Sequence, residues 1–281
     1  MKAFFTTFVL APLALGAPAR RALTDTVSDM DALIDGDAAG LGCADTAVIF
    51  ARGTFDSGNI GVWVGPQFEA ALRERIQNVA FQGVDPSAYL ADLQGYLGES
   101  GSDAGAQALA DTVEAYARIC PDTTHVISGW SQGALVAHKG LGLLSPETQA
   151  RVKGLVTFGD PAQLFADDLP AMPSSVQVNS QCFTRSVPDP LCAPKGSFEI
   201  PTSISDVIAP FSELPSLAVG AQEAAAAASL VAAFPGQLLA AKAAFAQTLL
   251  TNPKRVLLTP EHFMYGNKGL TEDAADFVAS L

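Results

Sequence analysis

The chain has 281 residues, 49% of them hydrophobic and 16% charged, with four cysteines and a formal net charge of −13 at pH 7. Such a surplus of carboxylates argues against nucleic acid and anionic membrane surfaces as partners, because both need Lys and Arg to neutralise phosphate. The length suits one large domain with a full core, or one domain carrying an insertion.

Residues 1–19 place one lysine before a short apolar run and then small residues, the layout of a cleaved secretory signal rather than a membrane span. Cleavage is expected after Ala17 or Ala19, with Arg20-Arg21 as a further processing point. The mature chain is then a secreted, extracellular protein, read as a single domain over residues 22–281. Residues 1–21 hold Lys2, Arg20 and Arg21 and no acidic residue, so their removal makes the remainder still more acidic. In an oxidising compartment, the even set Cys43, Cys120, Cys182 and Cys192 implies two disulfides rather than a metal site. Three connectivities are possible. Cys43–Cys120 is favoured because each precedes a strand-like run, and Cys182–Cys192 because the two are close in sequence.

Residues 45–51, DTAVIFA, read as a buried strand that runs into Arg52-Gly53-Thr54. The segment PQFEAALRERIQNV opens with proline at a first-turn position and keeps apolar residues at helical spacing. A strand is predicted near Val79–Val84, an amphipathic helix over 103–118, a strand at HVISGW and a helix directly after it, SQGALVAHKGLGLL. VKGLVTFGDP and SVQVNSQC continue as strands. Strand and helix in alternation predict a three-layer α/β fold of the α/β-hydrolase type, with a central parallel sheet covered on both faces.

The alternation breaks after Cys192. Residues 193–261 contain an Ala-rich stretch that favours helix, and Pro235-Gly236 is predicted to split it into two pieces too short to span a membrane. The stretch reads as a helical insertion, either packed on the core or folded as a lid. The final residues, TEDAADFVASL, predict a short capped helix with acidic residues in its first turn.

Gly129-Trp130-Ser131-Gln132-Gly133 fits the Gly-x-Ser-x-Gly nucleophile elbow, and it lies between a strand and a helix as that turn requires. A serine hydroxyl needs an imidazole to remove its proton. Of three histidines, His125 begins the strand that leads to Ser131 and belongs at the far end of the sheet, and His138 lies two turns into the following helix. His262, in Glu261-His262-Phe263-Met264-Tyr265-Gly266, is the candidate base by elimination. The order serine, acid, histidine then calls for a carboxylate between residues 131 and 262. Asp189, in the loop bounded by Cys182 and Cys192, is preferred to Asp160, which suits a turn or helix cap; Glu261 reads as a solvated neighbour. The backbone N–H of Gln132 and the N–H and hydroxyl of Thr54 are the candidate oxyanion donors.

These segments resemble the cutinase family of secreted serine esterases, which includes acetylxylan esterases. The resemblance rests on Ala51-Arg52-Gly53-Thr54 with Ser57-Gly58-Asn59, Gly129-Trp130-Ser131-Gln132-Gly133-Ala134, Asp189-Pro190-Leu191-Cys192, and His262-Phe263-Met264-Tyr265-Gly266. It implies a small α/β/α sandwich, the same two disulfides, an oxyanion hole of Thr54 and Gln132, and hydrolysis of cutin-like polyesters or short to medium acyl esters through an acyl-enzyme. No metal or organic cofactor is needed, and a monomer is expected. Three departures stand out: threonine where the family usually has serine at position 54, a long span from Cys182 to Asp189, and residues 193–261 between the last cysteine and the histidine. An acetylxylan esterase, a lipid esterase with the insertion as a lid, and a non-catalytic secreted binding protein are the alternative readings.

Overall fold

The structure is a computed structural model and describes residues 23–37, 42–184, 187–194 and 214–281. The expected signal peptide at 1–19, the processing point at 21 and part of the insertion, residues 195–213, lie outside the described residues.

Five parallel strands form one sheet: β1 (Thr46–Ala51), β2 (Val79–Gly83), β3 (Thr124–Trp130), β4 (Val152–Phe158) and β5 (Gln177–Gln181), in the order β2-β1-β3-β4-β5. The side-chain period of two divides each inner strand between two cores. Val48, Phe50, Val126, Trp130, Val156 and Phe158 face one side of the sheet. Ile49, Ala51, Ile127 and Leu155 face the other. Burial on both faces is why these strands read as unbroken apolar runs.

The helices are α1 (Asp31–Ile34), α2 (Gly65–Arg75), α3 (Leu93–Gly98), α4 (Asp103–Ile119), α5 (Gln132–Leu143), α6 (Pro146–Gln149), α7 (residues 214–217), α8 (Ala221–Ala240), α9 (Lys242–Thr251) and α10 (Leu270–Ala279). Phe68 and Leu72 of α2 and Ala274 and Val278 of α10 close the first core. Leu109 and Val113 of α4 and Val136 and Leu141 of α5 close the second, completing the three layers. Disulfides join Cys43 to Cys120 and Cys182 to Cys192. The first spans 77 residues of chain, from β1 to the end of α4. Loop-closure entropy gives it about 4 kcal/mol of stabilisation, against about 3 kcal/mol for the shorter bridge.

Two sequence expectations need correction. Pro235 does not split the Ala-rich stretch: α8 runs through it, and the break falls at Ala241. Proline removes one helical hydrogen bond, but the buried positions Ala227, Leu230 and Phe234 form a continuous stripe that holds the helix on the domain. As one piece, α8 is long and apolar enough to cross a membrane by length and composition, so shortness is no argument against a span. The last helix starts at Leu270, and no side chain caps it; its N-cap is Gly269, with φ 84°. Glu272 and Asp273 do occupy its first turn, where the helix dipole favours negative charge.

Candidate active site

The carboxyl ends of β1, β3, β4 and β5 deliver four loops to one edge of the sheet, the edge where open parallel sheets bind ligands. Arg52-Gly53-Thr54 leaves β1, Ser131 leaves β3, Gly159 leaves β4, and the loop that carries Asp189 leaves β5.

Ser131 has φ 58° and ψ −122°, a conformation a non-glycine residue rarely adopts and one that marks a strained turn. Its N–H donates to the carbonyl of Phe158 at 2.9 Å, which ties the turn to β4. The neighbouring glycines are sterically required. A Cβ on Gly129 would lie 2.1 Å from the carbonyl oxygen of Gly133, and one on Gly133 would lie 2.0 Å from that of Ala51. The N–H of Gln132 opens α5, where helix geometry supplies no acceptor.

His262 is buried in a short 3-10 turn, Pro260–Phe263. Its Nδ1 lies 2.7 Å from Oδ2 of Asp189, which is fully buried. Its ring stacks on Trp130 with centroids 5.4 Å apart, and its carbonyl accepts a hydrogen bond from the indole N–H at 3.1 Å. Nε2 is buried and has no hydrogen-bond partner among the described residues, so no such bond joins it to Ser131. It is the nitrogen that Asp189 leaves free.

Asp189 receives three donors. Oδ2 accepts from the Tyr265 hydroxyl at 2.6 Å as well as facing His262, and Oδ1 accepts from the N–H of Leu191 at 3.0 Å. Burial alone would raise this carboxyl's pKa. The charge of His262 and the hydrogen bonds from His262, Tyr265 and Leu191 outweigh that effect and hold it below the ordinary carboxylate value. The rival acid, Asp160, is elsewhere engaged: Oδ2 faces Nε2 of His138 at 2.8 Å, and Oδ1 accepts from the N–H of Ala162. His125 sits at the start of β3 beside Tyr116, away from the elbow, and burial lowers its pKa to about 4.

Thr54 and Gln132 are also brought together. Nε2 of Gln132 donates to the Thr54 hydroxyl oxygen at 3.0 Å and to the carbonyl of Asp92 at 2.7 Å. As an acceptor from Gln132, the Thr54 hydroxyl keeps its own proton available to donate. The loop beneath is braced by buried Arg52, whose Nε donates to the carbonyl of Asp56 at 3.0 Å and whose NH2 group donates to that of Tyr89 at 2.8 Å. Among the described residues, no group of His, Cys, Asp and Glu is arranged to hold a metal ion.

Sequence reasoning missed two residues. Tyr265 sits inside a quoted motif, three residues after His262, and the tight turn folds its hydroxyl back onto the acid. Gly159, with φ 53°, leaves room for the pair: a Cβ there would lie 2.8 Å from Cε1 of His262 and 3.0 Å from Oδ2 of Asp189. Its place after a strand was a signal for a turn, and only the fold ties that turn to the histidine.

An apolar pocket adjoins these residues. Thr54, Trp130 and His262 form one wall, and Leu230, Phe234, Phe245, Arg255, Val256 and Leu258 from the insertion form the other. The space within it is about 40 Å³.

The family model described as Cutinase matches residues 42–205. A cutinase of Coprinopsis cinerea is 40% identical over 190 residues, which cover 67% of this chain and 85% of that protein. A cutinase of Botryotinia fuckeliana is 46% identical over 121 residues, covering 42% of this chain and 58% of that protein, so that match spans little more than half of the relative's length. Among solved structures, Trichoderma reesei cutinase in complex with a phosphonate inhibitor is 27% identical with a TM-score of 0.48, covering 75% of this chain and 80% of that one. The catalytic core domain of acetyl xylan esterase from the same organism is 23% identical with a TM-score of 0.40, covering 50% and 83%. By the extent of the family match and the identity to the Coprinopsis protein, the chain belongs to the cutinase family, whose members are serine carboxylic-ester hydrolases.

Proposed function

We propose that the protein is an extracellular esterase that cleaves carboxylic esters through an acyl-enzyme formed on Ser131. The observation that carries this reading is the buried Asp189–His262 pair beside a strained serine elbow, with the second imidazole nitrogen left free. In acylation, the Ser131 oxygen bonds to the ester carbonyl carbon as its proton passes to Nε2 of His262. The carbonyl π pair moves onto oxygen, where the N–H groups of Gln132 and Thr54 and the Thr54 hydroxyl receive the negative charge. Asp189 holds the imidazole in one tautomer and stabilises its cation. Collapse breaks the bond to the alcohol oxygen, which takes the proton from His262. Water then repeats the sequence and releases the acid. Hydrogen bonds of this kind are often long in the absence of substrate, so the free Nε2 is compatible with the role.

The pocket wall supports a choice of substrate class. Leucine, phenylalanine and valine side chains favour an acyl chain over a sugar, which needs polar partners, so short to medium acyl esters and polyesters are favoured over acetylated xylan. The reading assigns no role to a metal, a nucleic acid or a second copy of the chain. The test is hydrolysis of p-nitrophenyl esters from acetate to palmitate by the native protein and by Ser131→Ala. Loss of about a million-fold in kcat in the variant is expected. A variant that keeps its activity would remove Ser131 from the mechanism.

A further inference from the structure

The helices over the pocket have two apolar sides. The inner side of α8 buries Ala227, Leu230 and Phe234, and that of α9 buries Phe245. From Ala224 to Ala240 the exposed positions are alanine, Val231, Pro235, Gly236 and Leu239, with Ser229 the one polar residue and no charge. Val219, before α8, is 74% exposed, Leu239 is 69% exposed and Leu250 of α9 is 87% exposed. The only charged residue from 224 to 251 is Lys242, in a chain of net charge −13. A helix facing water normally turns charged residues outward, and one that is apolar all round meets a second apolar body.

The pocket beneath is narrow. Its 40 Å³ compares with the roughly 300 Å³ at which pockets begin to hold ligand-sized molecules. Room for a substrate therefore requires α8 and α9 to move. In water, burial of Leu230, Phe234 and Phe245 holds them down. Polar latches add to this: Glu223 accepts from Gln67 at 3.3 Å and from Asn267 at 3.4 Å, and Gln237 accepts from the N–H of Leu93 at 3.4 Å. Against an apolar phase the inner side loses nothing by leaving the core, so the largest force for closure disappears.

Resting on the esterase reading, we propose that α8 and α9 are a lid whose outer side docks on the surface of a water-insoluble neutral ester, and that docking opens the pocket. Two observations select this occupant. The apolar surface is continuous, through the helices, with the wall of the pocket where the ester bond would be cleaved. Apart from the single Lys242, the surface also lacks the Lys, Arg and Trp with which interfacial helices grip a phospholipid bilayer, while the net charge of the chain repels anionic lipid.

The experiment uses the mature protein and the double variant Leu239→Ser, Leu250→Ser, whose substitutions lie outside the pocket wall. Hydrolysis of tributyrin is followed across its solubility limit, with dissolved p-nitrophenyl acetate as a control. Native activity is expected to rise about tenfold once droplets form, as a lid open a tenth of the time would give. The variant should lose most of that rise and keep its rate on dissolved ester. An equal rise in the variant, or none in the native protein, would overturn the proposal. Adsorption of Ser131→Ala protein is measured separately. Depletion by tributyrin droplets but not by phosphatidylcholine vesicles supports ester docking; equal depletion by both, or dimerisation abolished by the two serines, overturns it. No hydrolysis of either ester by native protein would defeat the esterase reading, and adsorption would still report on docking.

Discussion

Tyr265 donates its hydroxyl proton, over 2.6 Å, to the same oxygen of Asp189 that faces His262. The donor therefore helps to hold the Asp189 carboxylate in place. Tyr265→Phe removes a bond to a buried charge and should cost about 2 kcal/mol of stability at neutral pH. The sign of the pH dependence follows from the lowered pKa of Asp189. Its contribution is fully present above the unfolded carboxylate value and is lost as pH falls through the folded value. Urea unfolding of native and variant protein should thus differ at pH 7 and converge under strongly acidic conditions. A gap that persists at low pH would show that the tyrosine acts through packing alone.

Gly159→Ala puts a methyl group against both His262 and Asp189. Displacing the imidazole by a fraction of an ångström is expected to lower kcat about 100-fold with little change in KM. Steady-state kinetics on a dissolved ester checks this; an unaffected kcat would mean that the turn yields without moving the pair.

The Gln132 side-chain amide donates both to the Thr54 hydroxyl oxygen and to the carbonyl of Asp92, and so holds the Thr54 side chain in place. Thr54→Ala should reduce kcat by about 100-fold, the scale of losing one oxyanion donor, whereas Thr54→Ser should stay close to native. Gln132→Ala leaves its backbone N–H in place and should cost less, about tenfold. Equal losses for all three would point to a disturbed loop rather than a lost donor.

Burial pushes the Asp56 carboxyl up to about 7, against the N–H groups of Val62 and Ser57 and the charge of Arg52. The folded protein then holds a proton that the unfolded chain has released, so this group lowers stability as pH rises from about 4 to 7. His125, lowered to about 4 by burial, works in the opposite direction: the unfolded chain takes up a proton that the folded one refuses, and stability rises with pH up to about 6.5. The two act in opposite directions over the pH range between about 4 and 6.5. Asp56→Asn should therefore unmask a rise in stability between pH 4.5 and 6.5, read by denaturant unfolding. A flat profile in the variant would refute the assignment.

Much of this arrangement was legible in the residues. Apolar runs bounded by turn residues gave the inner strands, and the elbow glycines marked the position of Ser131 because their spacing reflects a steric demand. Choosing Asp189 over Asp160 relied on loop position, and the structure gives Asp160 a different partner in His138. The course of α8 was not legible, since a local rule about proline competes with burial of Leu230 and Phe234, which depends on residues far away in the chain. Phe55 and Ala91, with φ of 67° and 51°, carried no sequence signal at all; they meet through a 2.8 Å hydrogen bond beside the oxyanion loop.

The bridge between Cys182 and Cys192 encloses the segment that carries Asp189 and lies 3.4 Å, at Cys192 Sγ, from the Tyr265 hydroxyl. Reduction should free that segment and add about 3 kcal/mol to the entropic cost of ordering it. Activity followed through a dithiothreitol titration should fall as this bridge opens; full activity after its reduction would show that the acid loop holds itself. The restraint on the loop of Asp189 is a product of thiol oxidation, a reaction the cytosol opposes. A chain folded there would carry every residue of the proposed site without the bond that restrains the loop of Asp189, so that site would depend on the compartment as well as on the sequence.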